Sequence, residues 1–319
     1  METNTIFGNI DLSSAEFEES IDQMKLFFDR EFQVTDKIIV KQPTIQDVID
    51  YPEGEDGFMF LIRIFTGNTT YFKVSLWDQG VDWNDLTDWE LFVSLVKSLP
   101  PNSTKVILEG VDFGKMITVP LDNIENDIKN TDSDTDSINN SEEKTDKENK
   151  FSSISEEKHQ KFILYDPEND IEFNEITYLR VRNYLRHMFN IFPKVEVGIK
   201  SKRIKKEIVN YDKKVLEKQK KNSSGSFFMP LISTLLVYPG FKYKKEELRQ
   251  VGIVEFLDAV QRISVIENSL SVMHGMYSGF VDGSKIKPES YNFMRDLNTK
   301  QITDAKEIAM NSITSKGET

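Results

Sequence analysis

Residues 253–279, IVEFLDAVQRISVIENSLSVMHGMYSG, decide the fold class, because they predict a long helix that closes the fold. Two glycines, Gly275 and Gly279, mark its end. Residues that recur at helical spacing are Val254, Leu257, Val260, Gln261, Val265 and Ile266.

Four more stretches favour helices. Thr44 is placed as an N-cap for residues 45–51, and Asp88 can cap residues 88–99, whose apolar stripe ends at two prolines. Residues 54–67 are apolar on nearly every side, which is typical of a buried helix, and residues 175–191 place apolar and arginine side chains on different faces. Residues 70–80 fit a strand or a helix equally well.

Short extended segments predict two small hairpins. Residues 162–165 and 171–173 flank DPEN, a turn sequence, and residues 105–108 are expected to pair with residues 116–119. The fold class that follows is mainly α with small β-hairpins.

A charged insertion divides the chain. Residues 121–158 contain twelve acidic and five basic residues and few apolar ones, a composition that predicts a disordered acidic linker. The predicted organisation is an N-terminal segment (1–36), a helical region (37–120), this linker (121–158), a second helical region (159–297) and a flexible tail (298–319).

Composition limits the chemistry of the chain. The 319 residues have a net charge of −13, no cysteine and three separated histidines, His159, His187 and His274. The absence of cysteine excludes disulfides and thiolate metal sites. The small number and wide separation of the histidines argue against a histidine-based metal centre or catalytic triad. The start of the chain lacks the pattern of a signal peptide, and its longest mostly apolar run is too short to cross a bilayer, so we expect a cytoplasmic protein without a membrane partner.

Two acidic clusters are candidate sites. Asp132, Asp134, Asp136 and Glu143 have the spacing of a calcium loop, but Ser137 stands where the sharp turn needs glycine, so a solvated linker is favoured. Aspartates and tryptophans alternate between residues 77 and 89, where helix capping and packing are favoured over catalysis. We expect no catalytic residue, cofactor or metal ion.

A basic helix is predicted over residues 200–222, which contain ten basic and three acidic residues. Its cations could face solvent, pair within the chain, bind an acidic protein or, as the weakest candidate because only Tyr211 could stack on a base, bind nucleic acid. The candidate electrostatic residues are Lys202, Arg203, Lys205, Lys206, Lys213, Lys214, Lys218, Lys220 and Lys221.

Several segments together resemble the tail assembly chaperones of long-tailed bacteriophages that infect Gram-positive bacteria. The resemblance covers residues 37–120 and 160–297 and departs from the family at the acidic insertion. The segments that carry it are IIVKQPTIQDVIDY (38–51), YFKVSLWDQGVDWNDLTDWELFVSL (71–95), VDF (111–113), FILYDPENDIEFNE (162–175), FMPLISTLLVYPGFKY (228–243) and FLDAVQRISVIENSLSVMHGMYSGFVDGSKI (256–286).

The resemblance implies a non-catalytic protein of the host cytoplasm that binds the tape measure protein, or another tail protein, during tail assembly. Homo-oligomers are compatible with it. Two alternatives are a structural subunit of the tail or neck of the virion and a nucleic-acid-binding regulator acting through residues 200–222. The aromatic residues proposed to line a client groove are Phe58, Phe60, Phe65, Trp89, Phe92, Phe227 and Phe228.

Overall fold

The computed structural model describes residues 20–120, 162–196, 199, 201–222, 225–295 and 297. These residues form mostly helices with small antiparallel sheets, which confirms the predicted fold class. The acidic linker predicted at 121–158 and the tail predicted at 298–319 lie outside the described residues. By their contacts the chain divides into two units, residues 1–114 with 176–319, and residues 115–175.

Ten α-helices lie in the described residues, and the ambiguous segment 70–80 is helical up to Asp78. Short 3₁₀ turns occur at Ser103–Val106, Gly283–Lys285 and Pro288–Ser290. The helices are α1 (Gln23–Phe28), α2 (Ile45–Ile49), α3 (Gly54–Thr66), α4 (Thr69–Asp78), α5 (Asp88–Val96), α6 (Glu175–Phe189), α7 (Lys202–Asn222), α8 (Phe228–Val237), α9 (Lys245–Leu248) and α10 (Ile253–Tyr277).

Local capping explains where several helices begin. Thr44 caps α2 in a reciprocal capping box with Asp47, as the sequence predicts. Helix α5 is capped by Thr87, whose partner in the box is Glu90, so the prediction that Asp88 is the cap was wrong by one residue. Asp88 is the first residue of the helix, and its carboxylate bonds the backbone N–H of Thr69, at the start of α4.

The first unit contains one three-stranded antiparallel sheet in the order β1 (Glu31–Thr35), β2 (Ile38–Lys41), β3 (Leu108–Glu109). Helix α1 and strand β1 both lie in the segment that was predicted only as an N-terminal extension. Leu108 pairs with Val40, and both are fully buried. The predicted pairing of residues 105–108 with 116–119 was therefore wrong, because burial of Leu108 is achieved against β2.

The second unit contains the other three-stranded sheet, in the order β4 (Ile117–Pro120), β5 (Phe162–Asp166), β6 (Ile171–Phe173). The predicted β5–β6 hairpin is confirmed. The Asp166 carboxylate accepts hydrogen bonds from the Asn169 side chain and from two backbone N–H groups of the turn, and these bonds lower the pKa of Asp166. Pro120 pairs with Phe162, so residues 121–161 connect the ends of two paired strands.

An aromatic core joins the helices of the first unit across the insertion. The rings of Phe92 and Tyr178 stack with centroids 4.4 Å apart. The ring of Phe65 meets that of Phe92 edge-on, with centroids 5.1 Å apart. Because Tyr178 follows the insertion and Phe92 precedes it, the two helical regions separated in the sequence belong to one unit. Among the described residues, no helix is both long and apolar enough to cross a membrane.

Candidate protein-binding surfaces

The aromatic residues proposed for client binding divide into two groups in the structure. Phe60 and Phe227 are exposed. The other five belong to the core, which corrects the prediction that they line an open groove; they are Phe58, Phe65, Trp89, Phe92 and Phe228. Their burial follows from packing between helices, since Phe58, for example, meets Phe189 of α6 and Phe228 of α8.

Helix α8 presents exposed apolar surface that the aromatic prediction missed. Only Phe228 and Leu235 of this helix are buried. Its exposed apolar side chains include Met229, Leu236 and Val237, the last 76% exposed. The sequence held a signal for this surface, because residues 226–241 contain no charged residue although they border a strongly charged segment.

Contacts at both ends of α8 fix it on the first unit. The Glu55 carboxylate of α3 accepts hydrogen bonds from the backbone N–H groups of Phe227 and Phe228 and from the Ser226 hydroxyl, the last two at 2.8 and 2.6 Å. Glu55 thus caps the helix from another element and compensates the positive end of its dipole. At the other end, the Tyr238 hydroxyl donates to Glu267 of α10 at 3.2 Å.

A cavity of about 400 Å³ lies beneath the first turn of α8. Its walls come from α3, the end of α6, α8 and α10, and most of the lining is apolar. Apolar side chains around it include Met59, Phe189, Phe227, Phe228, Leu231 and Leu257. A depression of this size next to exposed apolar residues can accept an inserted apolar side chain.

The distal end of α10 adds a second exposed apolar area. No residue of this helix beyond Ser269 is buried. Leu270, Tyr277 and, just past the helix, Phe280 are exposed. Exposed apolar residues on α8 and the end of α10 define what we call the α8–α10 surface.

A second hollow, of about 450 Å³, lies between α1, α6 and α10 and has a more polar lining. His187 and Asp258 both line it. Burial raises the pKa of Asp258, and the nearby Arg262 opposes the shift. His187 Nδ1 lies 2.9 Å from the Asn183 carbonyl oxygen, and its ring packs edge-on against Phe192, as in a packing histidine.

The basic helix α7 does not stand free of the fold. Lys205 is buried, lies 2.5 Å from the Asp82 carboxylate and sits 5.6 Å above the Trp83 ring centroid. Lys213 pairs with Asp78. Lys205 and Lys213 are therefore neutralised within the chain, which was one of the outcomes left open by the sequence.

The acidic and tryptophan-rich segment receives this helix. Val209 of α7 is fully buried in a cluster with Leu76, Trp83 and Leu91. Lys73 of α4 bonds Glu196 and also Asp212 of α7, at 2.6 Å for the latter. Two of the aspartates between residues 77 and 89, Asp78 and Asp82, therefore serve as ion-pair partners of α7.

The remaining basic side chains of α7 that the structure describes are exposed to solvent. Arg203 lies 3.9 Å from Glu207, one turn along the helix. The exposed lysines of the helix are Lys202, Lys206, Lys214, Lys218 and Lys221. The side chain of Lys220 lies outside the described part of the structure.

Two arginines on α6, the buried Arg182 and the partly buried Arg186, join three helices of the first unit. Arg182 pairs with Asp88 at 2.6 Å. Arg186 donates to the carbonyl oxygens of Thr66 and Gly67 at the end of α3. Burial, and next the charge of Arg182, lowers the pKa of Arg186 to about 10. Their partners are within the fold, so we assign both arginines a structural role.

In the part of the chain that the structure describes, no group of three or more His, Asp or Glu side chains is arranged to hold a metal ion. The four residues with calcium-loop spacing lie outside the described residues, as does His159. Comparisons with protein-family models, with curated proteins and with solved structures found no match.

Proposed function

We propose that this protein is a non-catalytic assembly chaperone that binds apolar helical segments of a client protein. The observation that carries the proposal is the α8–α10 surface, where an uncharged helix exposes Met229, Leu236 and Val237 beside an apolar cavity. Exposed apolar residues beside an apolar cavity are a feature of protein-interaction sites.

The resemblance to phage tail assembly chaperones supplies the proposed client, the tape measure protein. An amphipathic client helix would lay its apolar face on α8 and insert a side chain near Phe227. Burial of a few exposed side chains contributes about 1.5–3 kcal/mol each before the costs of association, which suits binding that must later be reversed. The net charge of −13 would keep such a complex soluble.

The test is capture of the client in infected host cells by the tagged protein, with mass spectrometry of the captured proteins and of purified virions. We expect the tape measure protein among the captured proteins and no copies of the chaperone in virions. Stoichiometric presence in virions would instead identify a structural subunit, and recovery of nucleic acid alone would overturn both assignments.

Variants connect this test to the surface. Met229→Ser combined with Leu236→Ser removes exposed apolar area from α8, and we expect captured client to fall at least about tenfold, a loss of about 1.4 kcal/mol. Ile117→Ser removes an exposed isoleucine from β4 and is the matched control, expected to leave capture unchanged. Equal capture by both variants would remove α8 from the binding site.

A further inference from the structure

Helix α7 has a second face beside the one that packs on the fold. Its packed face carries Lys205, Val209 and Asp212, whose partners lie on α4, in the loop that follows it and on α5. Next to this face, Ile204, Ile208, Tyr211 and Val215 are spaced by four, three and four residues, so they form one stripe along the helix. We call these four residues the outer stripe.

Two of the four residues of the outer stripe are open to solvent. Ile204 is 52% exposed and Tyr211 is 65% exposed, whereas Ile208 and Val215 are partly buried. From Ile204 to Val215 the stripe extends over about 16 Å at 1.5 Å per residue, which is three helical turns. A spacing of three and four residues is the pattern with which one helix packs against another.

Cations border the outer stripe. Lys214 lies three residues from Tyr211 and Lys218 three residues from Val215, so each is a neighbour of the stripe on the helix surface. Both lysines are exposed, and neither forms an ion pair with another residue that the structure describes. Glu207, on the same border, is paired with Arg203, so the lysines determine the sign of charge at this edge.

We propose that the outer stripe of α7 binds an acidic amphipathic helix of a partner protein. The apolar spacing selects a helix, and the bordering lysines select glutamate or aspartate beside its apolar face. A phosphate backbone offers no apolar face to pack against the outer stripe. This surface is separate from the α8–α10 surface, so the proposal does not depend on the proposed function.

The experiment uses the full chain and a synthetic probe. The probe is a labelled helical peptide of about 20 residues, with leucines spaced by four and three residues and glutamates on both sides of them. Its affinity is measured by fluorescence anisotropy at low and at high salt. One control peptide has the same composition with the leucines distributed around the helix, and another has lysine in place of every glutamate.

We expect the acidic peptide to bind and both control peptides to fail. Ile204→Ser with Tyr211→Ser should raise the Kd at least about tenfold, equivalent to about 1.4 kcal/mol. Ile49→Ser, which truncates an isoleucine on α2 that is also 52% exposed, is the matched control and should leave the Kd unchanged. Lys214→Glu with Lys218→Glu should weaken binding of the acidic peptide, and the affinity that remains should no longer fall when the salt concentration is raised.

Three results would overturn the proposal. The first is no binding of the acidic peptide to a chain whose circular dichroism shows it folded. The second is equal loss of binding with Ile49→Ser. The third is binding of a DNA duplex or of anionic lipid vesicles through Lys214 and Lys218 while the acidic peptide does not bind. Loss of client capture by the α8 variants with unchanged peptide binding separates this proposal from the proposed function.

Discussion

At the scale of single residues, the buried carboxylate of Asp88 bonds groups from two other helices. Asp88 Oδ2 lies 2.6 Å from Arg182 Nη1, while Oδ1 accepts the Thr69 backbone N–H at 2.9 Å. Arg182 also lies over the Tyr178 ring, 5.2 Å from its centroid. The pair therefore joins α5, α6 and the start of α4.

We predict that Asp88→Asn lowers the free energy of unfolding by about 3–5 kcal/mol, because it leaves the buried Arg182 charge uncompensated. The measurement is urea denaturation followed by tryptophan fluorescence. All three tryptophans, Trp77, Trp83 and Trp89, lie in the first unit.

The double variant Asp88→Asn with Arg182→Met tests the explanation, since removing both charges should recover much of the loss. Glu168→Gln breaks an exposed pair with Lys115 and is the control, with an expected change within about 0.5 kcal/mol. A double variant as unstable as Asp88→Asn would show that the uncompensated charge is not the cause.

Tyr184 gives a prediction about alkaline stability. Burial, with the negative charge of Asp29, raises the pKa of Tyr184 from its ordinary value of 10.0 to about 12. Between these two values the unfolded chain has lost the hydroxyl proton and the folded chain has kept it. The unfolded state then binds fewer protons, so stability falls as the pH rises from 10 to 12.

We therefore expect Tyr184→Phe to flatten this decrease by up to about 1.4 kcal/mol per pH unit, measured by denaturation at several alkaline pH values. Arg186, with its pKa lowered to about 10, has the opposite effect, but it is present in both proteins and cancels in the difference. Tyr277→Phe, at an exposed tyrosine, is the control. Parallel curves for wild type and Tyr184→Phe would contradict the prediction.

At the scale of elements, α8 depends on a cap supplied by another helix. Glu55 of α3 accepts hydrogen bonds from the Phe227 and Phe228 N–H groups and from the Ser226 hydroxyl, and Ser226 in turn accepts from the Met229 N–H at 3.0 Å. The sequence could not indicate this contact, because Glu55 and Phe228 are far apart along the chain and only the packing of α3 on α8 brings them together.

We predict that Glu55→Ala destabilises the start of α8 by about 1–2 kcal/mol, the cost of losing an N-cap with its favourable charge. Hydrogen exchange of residues 226–232 should accelerate while exchange of α5 stays unchanged. Glu55→Gln keeps an acceptor oxygen and should have the smaller effect. Equal exchange in wild type and Glu55→Ala would mean that the cap contributes nothing.

The ion pairs of the basic helix α7 are a second feature at this scale that the sequence could not specify. The sequence predicted a helix over residues 200–222, and the structure has one at Lys202–Asn222. Its charge excess left open a solvated face, pairing within the chain or a partner-binding face, and in the structure Lys205 and Lys213 pair with Asp82 and Asp78. A count of charges cannot say which lysines meet carboxylates from a distant segment, since that depends on the docking of α7 on α4.

At the scale of the whole molecule, the insertion joins the ends of paired strands. Pro120 of β4 faces Phe162 of β5, a separation that a two-residue hairpin turn can span. Replacing residues 121–161 by Asn-Gly should therefore leave the β4–β5 pairing in place. The shorter connection should stabilise this sheet by on the order of 2 kcal/mol through a smaller loop-closure entropy.

Hydrogen exchange of the β4 and β5 amides measures this effect. A flexible Gly-Ser segment of the same length as the insertion is the control and should behave as the wild type, if the insertion is the disordered linker that its composition predicts. Faster exchange of β4 and β5 after either replacement would show that the insertion contributes to folding.

The sequence by itself determined the features that depend on neighbours along the chain. The Thr44 cap of α2, the β5–β6 hairpin with its DPEN turn and the long helix α10 were predictable because their hydrogen bonds and spacings are local. The mainly α class with small hairpins follows from the sum of such signals.

Only the tertiary structure decided which apolar residues are covered. Phe92 and Phe228 are core residues while Met229 and Val237 face solvent, although all four are apolar and lie on helices. The pairing of Leu108 with Val40, like the Glu55 cap on α8, joins residues distant in sequence. Such contacts depend on how complete elements pack on one another, which local spacing does not encode.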